Sequence, residues 1–116
     1  MNNSPNDGDV FAQLDAALAK RRTADPAQSY TAALYAGGVT AITDKISEES
    51  AEVVEAAHGD DHHLIHEVAD LWFHCMVLLQ SRGLDSAAVQ SELARRFGVS
   101  GHVEKAARSG GDTAQD

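Results

Sequence analysis

The chain has 116 residues, with 18 Asp and Glu against 9 Lys and Arg, and a formal charge of −9. A surface that binds nucleic acid or an anionic membrane needs clustered Lys and Arg, which this composition lacks. The single cysteine, Cys75, excludes an intrachain disulfide and any multi-Cys zinc site.

The length fits one small domain, for which pairing with a second copy would add buried surface. Residues 1–8 and 106–116 are small, polar and Gly-containing, and are expected to be disordered tails around a domain spanning 9–105. Met1 to Asp9 carries neither a cationic n-region nor an apolar h-region, so a cytoplasmic protein is expected. The longest nearly apolar stretch, Val68 to Leu79, is interrupted by Asp70 and His74. It falls short of the ~20 residues a membrane span requires.

Between the tails, Ala is by far the commonest residue and strict alternation is absent, so the pattern predicts helices throughout. The first runs from about Val10 to Arg22, with Asp9 as N-cap. A linker, Thr23 to Gln28, contains Pro26. A short second segment, about Tyr30 to Ala36, is capped by Ser29 or Thr31 and ended by Gly37-Gly38. The third runs from about Thr40 to His58 and stops at Gly59. The fourth runs from about Asp60 to Ser81, with Asp60 and Asp61 suited to its positive N-terminal end, and Gly83 follows. The fifth, about Ser86 to Phe97, carries Val89, Leu93 and Phe97 in an i, i+4, i+8 stripe. Short connections between long helices predict an all-α antiparallel bundle of four to five helices, completed by dimerisation.

The acid is concentrated. From Asp44 to Asp70, nine carboxylates meet one cation, Lys45, so this window carries −8 of the net charge. At about 100° per residue, Ile42, Ile46, Val53 and Ala57 form one stripe of the third helix. Glu49 falls inside that stripe and Glu52 lies beside it. The fourth helix buries Leu64, Val68, Leu71, Trp72, Cys75 and Leu79 in this reading, with Glu67, Asp70 and His74 along the edge. Each long helix thus carries an acidic pair three residues apart, and the Gly59 turn lets the pairs face each other. Carboxylates on an apolar face are costly to desolvate and repel one another. A hard divalent cation such as Mg²⁺, held by oxygen ligands, resolves both problems. The alternative is an ordinary solvated acidic face. Such a face places its acids opposite the stripe, as Glu55 is, and usually supplies Lys or Arg partners.

The pattern Glu48-Glu49-x-x-Glu52, followed by Glu67-x-x-Asp70, resembles the all-α nucleotide pyrophosphohydrolases of the MazG-like superfamily. Ser29-Tyr30-Thr31-Ala32-Ala33-Leu34, Lys45-Ile46-Ser47-Glu48-Glu49 and Glu67-Val68-Ala69-Asp70-Leu71-Trp72-Phe73-His74 are similar to the phosphoribosyl-ATP pyrophosphatase family of histidine biosynthesis. That family usually has Gly at the position of Ser47 and Ala at that of Ser50, both small for small. The resemblance spans about Val10 to Lys105. It implies Mg²⁺-dependent hydrolysis of 1-(5-phosphoribosyl)-ATP to 1-(5-phosphoribosyl)-AMP and pyrophosphate. It also implies that Glu49, Glu52, Glu67 and Asp70 are the metal ligands. Glu48 or Glu49 is the candidate to take a proton from the attacking water.

Around this set, Lys45 is a candidate phosphate contact or an ion-pair partner of Glu48, Glu49 or Glu52. His74 is a phosphate contact, an orienting residue or a satisfied buried histidine. Ser29, Tyr30 and Thr31 bind the ribose phosphate or cap a helix, and Arg21 and Arg22 are further phosphate candidates. His58, His62, His63 and His66 suggest a transition-metal site, but they sit around a tight turn and are expected to be exposed instead. Two other functions share parts of the pattern. One is a housecleaning nucleoside-triphosphate pyrophosphohydrolase. The other is a non-catalytic metal-binding or interaction bundle, although a di-iron site would need two Glu-x-x-His motifs and only Glu55 to His58 fits.

Overall fold

A computed structural model of the chain describes residues 9–98, so the expected tails and residues 99–105 lie outside the described residues. Four helices follow one another: α1 (Val10–Arg21), α2 (Tyr30–Ala56), α3 (Asp61–Ser81) and α4 (Ser86–Phe97). Among the described residues there is no strand, and the fold class is all-α. No helix among them is long and apolar enough to cross a membrane.

The helix starts follow from local hydrogen bonding. Asp9, Ser29 and Asp60 each accept a backbone N–H three residues on, from Ala12 (3.0 Å), Ala32 (3.1 Å) and His63 (2.8 Å). Each satisfies a donor that the first helical turn leaves unpaired. At the end of α3, Gly83 adopts φ +74°. Its N–H donates to the Gln80 carbonyl and that of Leu84 to the Leu79 carbonyl, both at 2.9 Å, a Schellman closure.

The second and third expected segments are two arms of one element. Gly38 sits at φ +83°, ψ −177°, a non-helical conformation inside α2. A side chain could not adopt it without strain, so glycine is required there. The helix resumes at once on the far side, so the glycine pair produces a kink instead of a loop. Between α2 and α3 the connection is only Ala57 to Asp60, tightened by the Gly59 N–H donating to the Ala56 carbonyl at 2.9 Å. The two helices form an antiparallel hairpin on which α1 packs.

The chain divides into two units after Ser86. In the first, the core consists of Leu18, Leu34, Ile42, Met76 and Val77, with Phe11, Leu14, Tyr35, Ile46, Phe73 and Leu78 against it. Tyr35 donates its hydroxyl to the Leu18 carbonyl at 3.0 Å, tying α2 to α1. Asp15 accepts the backbone N–H of Ser86 at 3.0 Å and its hydroxyl at 2.6 Å. In the second unit, Arg95 and Arg96 flank Glu92 and hold its carboxyl well below the usual range, at about 2.

The buried face of α3 differs from the expected one. Glu67, His74, Met76, Val77 and Gln80 are the buried residues, whereas Trp72 is 54% exposed and Cys75 only half-buried. The helix is rotated so that its acidic edge faces α2. The most apolar stripe is partly turned outward, with the Trp72 ring against Phe11 at 5.8 Å between centroids. On α2, Ala56 takes the buried place expected for Ala57, and Glu49 is buried in the stripe as predicted.

Candidate metal centre

Glu49 and Glu67 occupy the facing sides of the α2–α3 hairpin and are 7% and 8% exposed. One oxygen of each, Oε1, is buried and has no hydrogen-bond partner. A buried charged oxygen left without a donor costs a few kcal/mol, so two of them across one interface require compensation. Glu52, one turn after Glu49, joins them: one carboxylate oxygen each from Glu49, Glu52 and Glu67 lies within 4.8 Å of the others. The Glu52 carboxyl is pushed above its ordinary value, first by its close contact with the Glu67 carboxyl and then by the charges of Glu67 and Glu49. Two carboxylates that meet without a donor between them need a shared proton or a cation. The donors are all oxygen, and only one of the three residues is exposed. That set fits a hard divalent ion of the Mg²⁺ type.

Asp70 enters through Glu67. His66, Glu67 and Asp70 each offer an atom within 4.8 Å of the others, so Glu67 belongs to both groups. Asp70 is half-buried, one turn beyond Glu67 on the same edge. The hairpin therefore brings the four sequence-predicted acids into one continuous strip.

Glu48 stands apart from them. It is exposed and accepts a hydrogen bond from Lys45 Nζ at 3.1 Å. That bond, with the Tyr30 and Glu48 charges, raises the Lys45 ammonium above its ordinary value. Lys45 is thus an ion-pair partner in this structure, close enough to Tyr30 and Glu49 to feel both.

His74 is buried, 6% exposed, with both ring nitrogens engaged. Nδ1 lies 2.9 Å from the Asp70 carbonyl and Nε2 lies 2.8 Å from the Tyr30 hydroxyl. A carbonyl can only accept, so Nδ1 carries the proton, and the neutral ring accepts the Tyr30 O–H at Nε2. The histidine joins the start of α2 to the turn of α3 that carries Asp70. Ser29 is the N-cap of α2, Thr31 is buried at 6% exposure, and Tyr30 between them is 54% exposed. Arg22 is the C-cap of α1, where its charge acts on the Tyr35 phenol.

Two histidines that the sequence reading left around the turn lie on the acidic strip. His63 Nε2 is 3.2 Å from Glu67 Oε2, and His66 Nε2 is 3.4 Å from Asp70 Oδ2. The available signal was the spacing: each precedes its carboxylate by four residues on one helix.

A family model described as phosphoribosyl-ATP pyrophosphohydrolase matches residues 11–97. A curated protein named phosphoribosyl-ATP pyrophosphatase, from Hydrogenovibrio crunogenus, is 46% identical over 109 residues, covering 90% of this chain and 96% of the relative. Another of the same name, from Methylococcus capsulatus, is 50% identical over 101 residues, covering 86% of this chain and 96% of the relative.

Proposed function

The chain belongs to the phosphoribosyl-ATP pyrophosphohydrolase family, a family of hydrolases, and from that premise we propose its reaction and the parts its residues play. The substrate is 1-(5-phosphoribosyl)-ATP, cleaved to 1-(5-phosphoribosyl)-AMP and pyrophosphate in histidine biosynthesis, in the cytoplasm. The observation that supports the reading best is the pair of buried, unpartnered carboxylate oxygens on Glu49 and Glu67. A fold with no cation to hold would lower its own energy by replacing them.

Glu49, Glu52, Glu67 and Asp70 would hold Mg²⁺. A bound Mg²⁺ supplies positive charge against the triphosphate and lowers the pKa of a coordinated water. Of the two base candidates, Glu49 has the better position, because Glu48 is engaged with Lys45 and Glu49 Oε1 has no donor. Lys45 binds a substrate phosphate as a point charge, leaving Glu48 to do so. His74 does not contact substrate: with both nitrogens occupied, it holds the Tyr30 hydroxyl, and Ser29 fixes the backbone beneath it. Tyr30 is the exposed member of its tripeptide and the one suited to meet the nucleotide. The outward-turned stripe around Trp72, Cys75 and Leu79 supports a homodimer.

The test is pyrophosphate release from phosphoribosyl-ATP by the purified chain, with Mg²⁺ and with EDTA, beside a panel of dNTPs. Release from phosphoribosyl-ATP that EDTA abolishes, and that Asp70→Asn also abolishes, is the expected result. Fast release from the dNTPs alone would overturn the assignment in favour of a housecleaning pyrophosphohydrolase. No turnover of any nucleotide would favour a non-catalytic bundle.

A further inference from the structure

A hydroxyl carries one hydrogen and two lone pairs. Tyr30 spends its hydrogen on His74 Nε2, 2.8 Å away. That nitrogen is kept an acceptor from behind, because Nδ1 donates to the Asp70 carbonyl at 2.9 Å. The imidazole is also held in place. It is buried, and Phe73 packs against it in a T-shaped contact, with centroids 5.1 Å apart and planes at 87°. Tyr30 crosses the same ring at 89°. The exposed side of Tyr30 therefore offers a ligand only the lone pairs of its phenol oxygen.

A phosphate oxygen also offers only lone pairs, and a negative charge with them, so the two do not bond. The Tyr30 oxygen fits a donor. A nucleotide has two kinds, the sugar hydroxyls and the amino group of its base. Position decides between them. Tyr30 is close enough to Lys45 to act on its ammonium, the cation assigned above to a substrate phosphate. In a nucleotide the sugar adjoins the phosphates, and the base lies beyond it. We propose that Tyr30 is a specificity-determining residue whose oxygen accepts a hydrogen bond from a ribose hydroxyl of the ATP half of the substrate, selecting it over the deoxy sugar. The inference rests on the substrate reading above and deepens it: Tyr30 reads the sugar and not its phosphate. His74 is the positioning residue that turns the hydroxyl's hydrogen away from the ligand. Because Tyr30 is half-exposed, water replaces a missing partner. The preference is therefore about fivefold to tenfold, far below that of a fully buried site.

The test measures kcat/KM of the full chain in saturating Mg²⁺ for phosphoribosyl-ATP and for its 2′-deoxy and 3′-deoxy analogues, altered in the ATP sugar. The parent should prefer phosphoribosyl-ATP over one analogue by about fivefold to tenfold. Tyr30→Phe should bring that ratio to about one while leaving inhibition by pyrophosphate unchanged. Tyr35→Phe, which loses a hydroxyl bonded to the Leu18 carbonyl, should keep the ratio. Equal kcat/KM for all three substrates in the parent would overturn the proposal, and that result does not depend on any variant folding. So would an equal fall on every substrate in Tyr30→Phe, the mark of a structural role, or weakened pyrophosphate inhibition, the mark of a phosphate contact. Turnover of phosphoribosyl-ATP without sugar preference sinks this inference and leaves the substrate reading standing. No turnover of phosphoribosyl-ATP sinks both.

Discussion

Glu49→Gln is the substitution for which structure predicts opposite signs under two conditions. Glu49 and Glu67 are both buried, and their carboxylate oxygens, with that of Glu52, lie within 4.8 Å of one another. Two unit charges at that separation repel by about 3 kcal/mol at an effective dielectric near 20, and by about 1 kcal/mol in bulk water. Glu52 is solvent-exposed, so its share is the more strongly screened. Replacing Glu49 with its neutral isostere removes the Glu49–Glu67 repulsion and gives Glu67 an amide donor. In EDTA the variant should therefore be more stable by roughly 1–3 kcal/mol. For a domain of this size each kcal/mol moves Tm by about 4–8 °C. Saturating Mg²⁺ acts the other way. At a hundred times its Kd a ligand that binds only the folded chain adds about 2.7 kcal/mol, and the variant forfeits it. Melting curves of both proteins in EDTA and in Mg²⁺ check this, and the gap should narrow or invert on adding metal. A variant that melts below the parent in EDTA, or that shows the full Mg²⁺ shift, would refute the reasoning.

Gly38→Ala should destabilise by about 1–3 kcal/mol in urea or thermal unfolding, through backbone strain alone. The added methyl would meet nothing within 4 Å, so no clash contributes. Tyr30→Phe leaves buried His74 Nε2 without its donor and should cost about 1–3 kcal/mol. It should also lower turnover of phosphoribosyl-ATP more than Tyr35→Phe does. In metal-free protein the Glu52 carboxyl is raised above its unfolded value by Glu67 and Glu49. The folded state then holds the proton more tightly. That contribution to stability is fully present below the unfolded value of ~4.5 and is lost as pH rises through the folded one. Comparing Tm against pH for the parent and Glu52→Gln in EDTA should show the parent losing more between pH 4.5 and pH 7.

Features governed by chemistry within a few residues were legible in the sequence. Asp9 and Ser29 cap helices because a short side-chain oxygen reaches a backbone N–H three residues on; Asp60, read as the first helical residue, is itself the N-cap of α3. Glu49 was placed correctly because its stripe, Ile42 to Val53, is apolar on one side only. Two things depended on the partner element instead. Gly37-Gly38 signalled a break, but that the chain resumes its helix immediately is decided by what both arms pack against. On α3, apolarity pointed to the Leu64–Leu79 stripe, whereas packing buries Glu67, His74 and Gln80. A helix that is apolar on nearly every side does not declare which side meets its own chain. His63 and His66 were grouped with the turn by proximity in sequence, although their four-residue spacing to Glu67 and Asp70 already put them on the acidic edge.

The kink at Gly38 has a further effect on how α2 works as a part. A continuous helix transmits rotation rigidly: add or remove one residue and everything beyond it turns by about 100°. Gly38, extended at ψ −177°, interrupts that transmission like a coupling between two shafts. The arm that presents Tyr30 and the arm that presents Glu49 and Glu52 can each be set to its own angle. The amino-terminal arm can therefore drift in length or tilt among descendants of this chain without turning the acids away from α3.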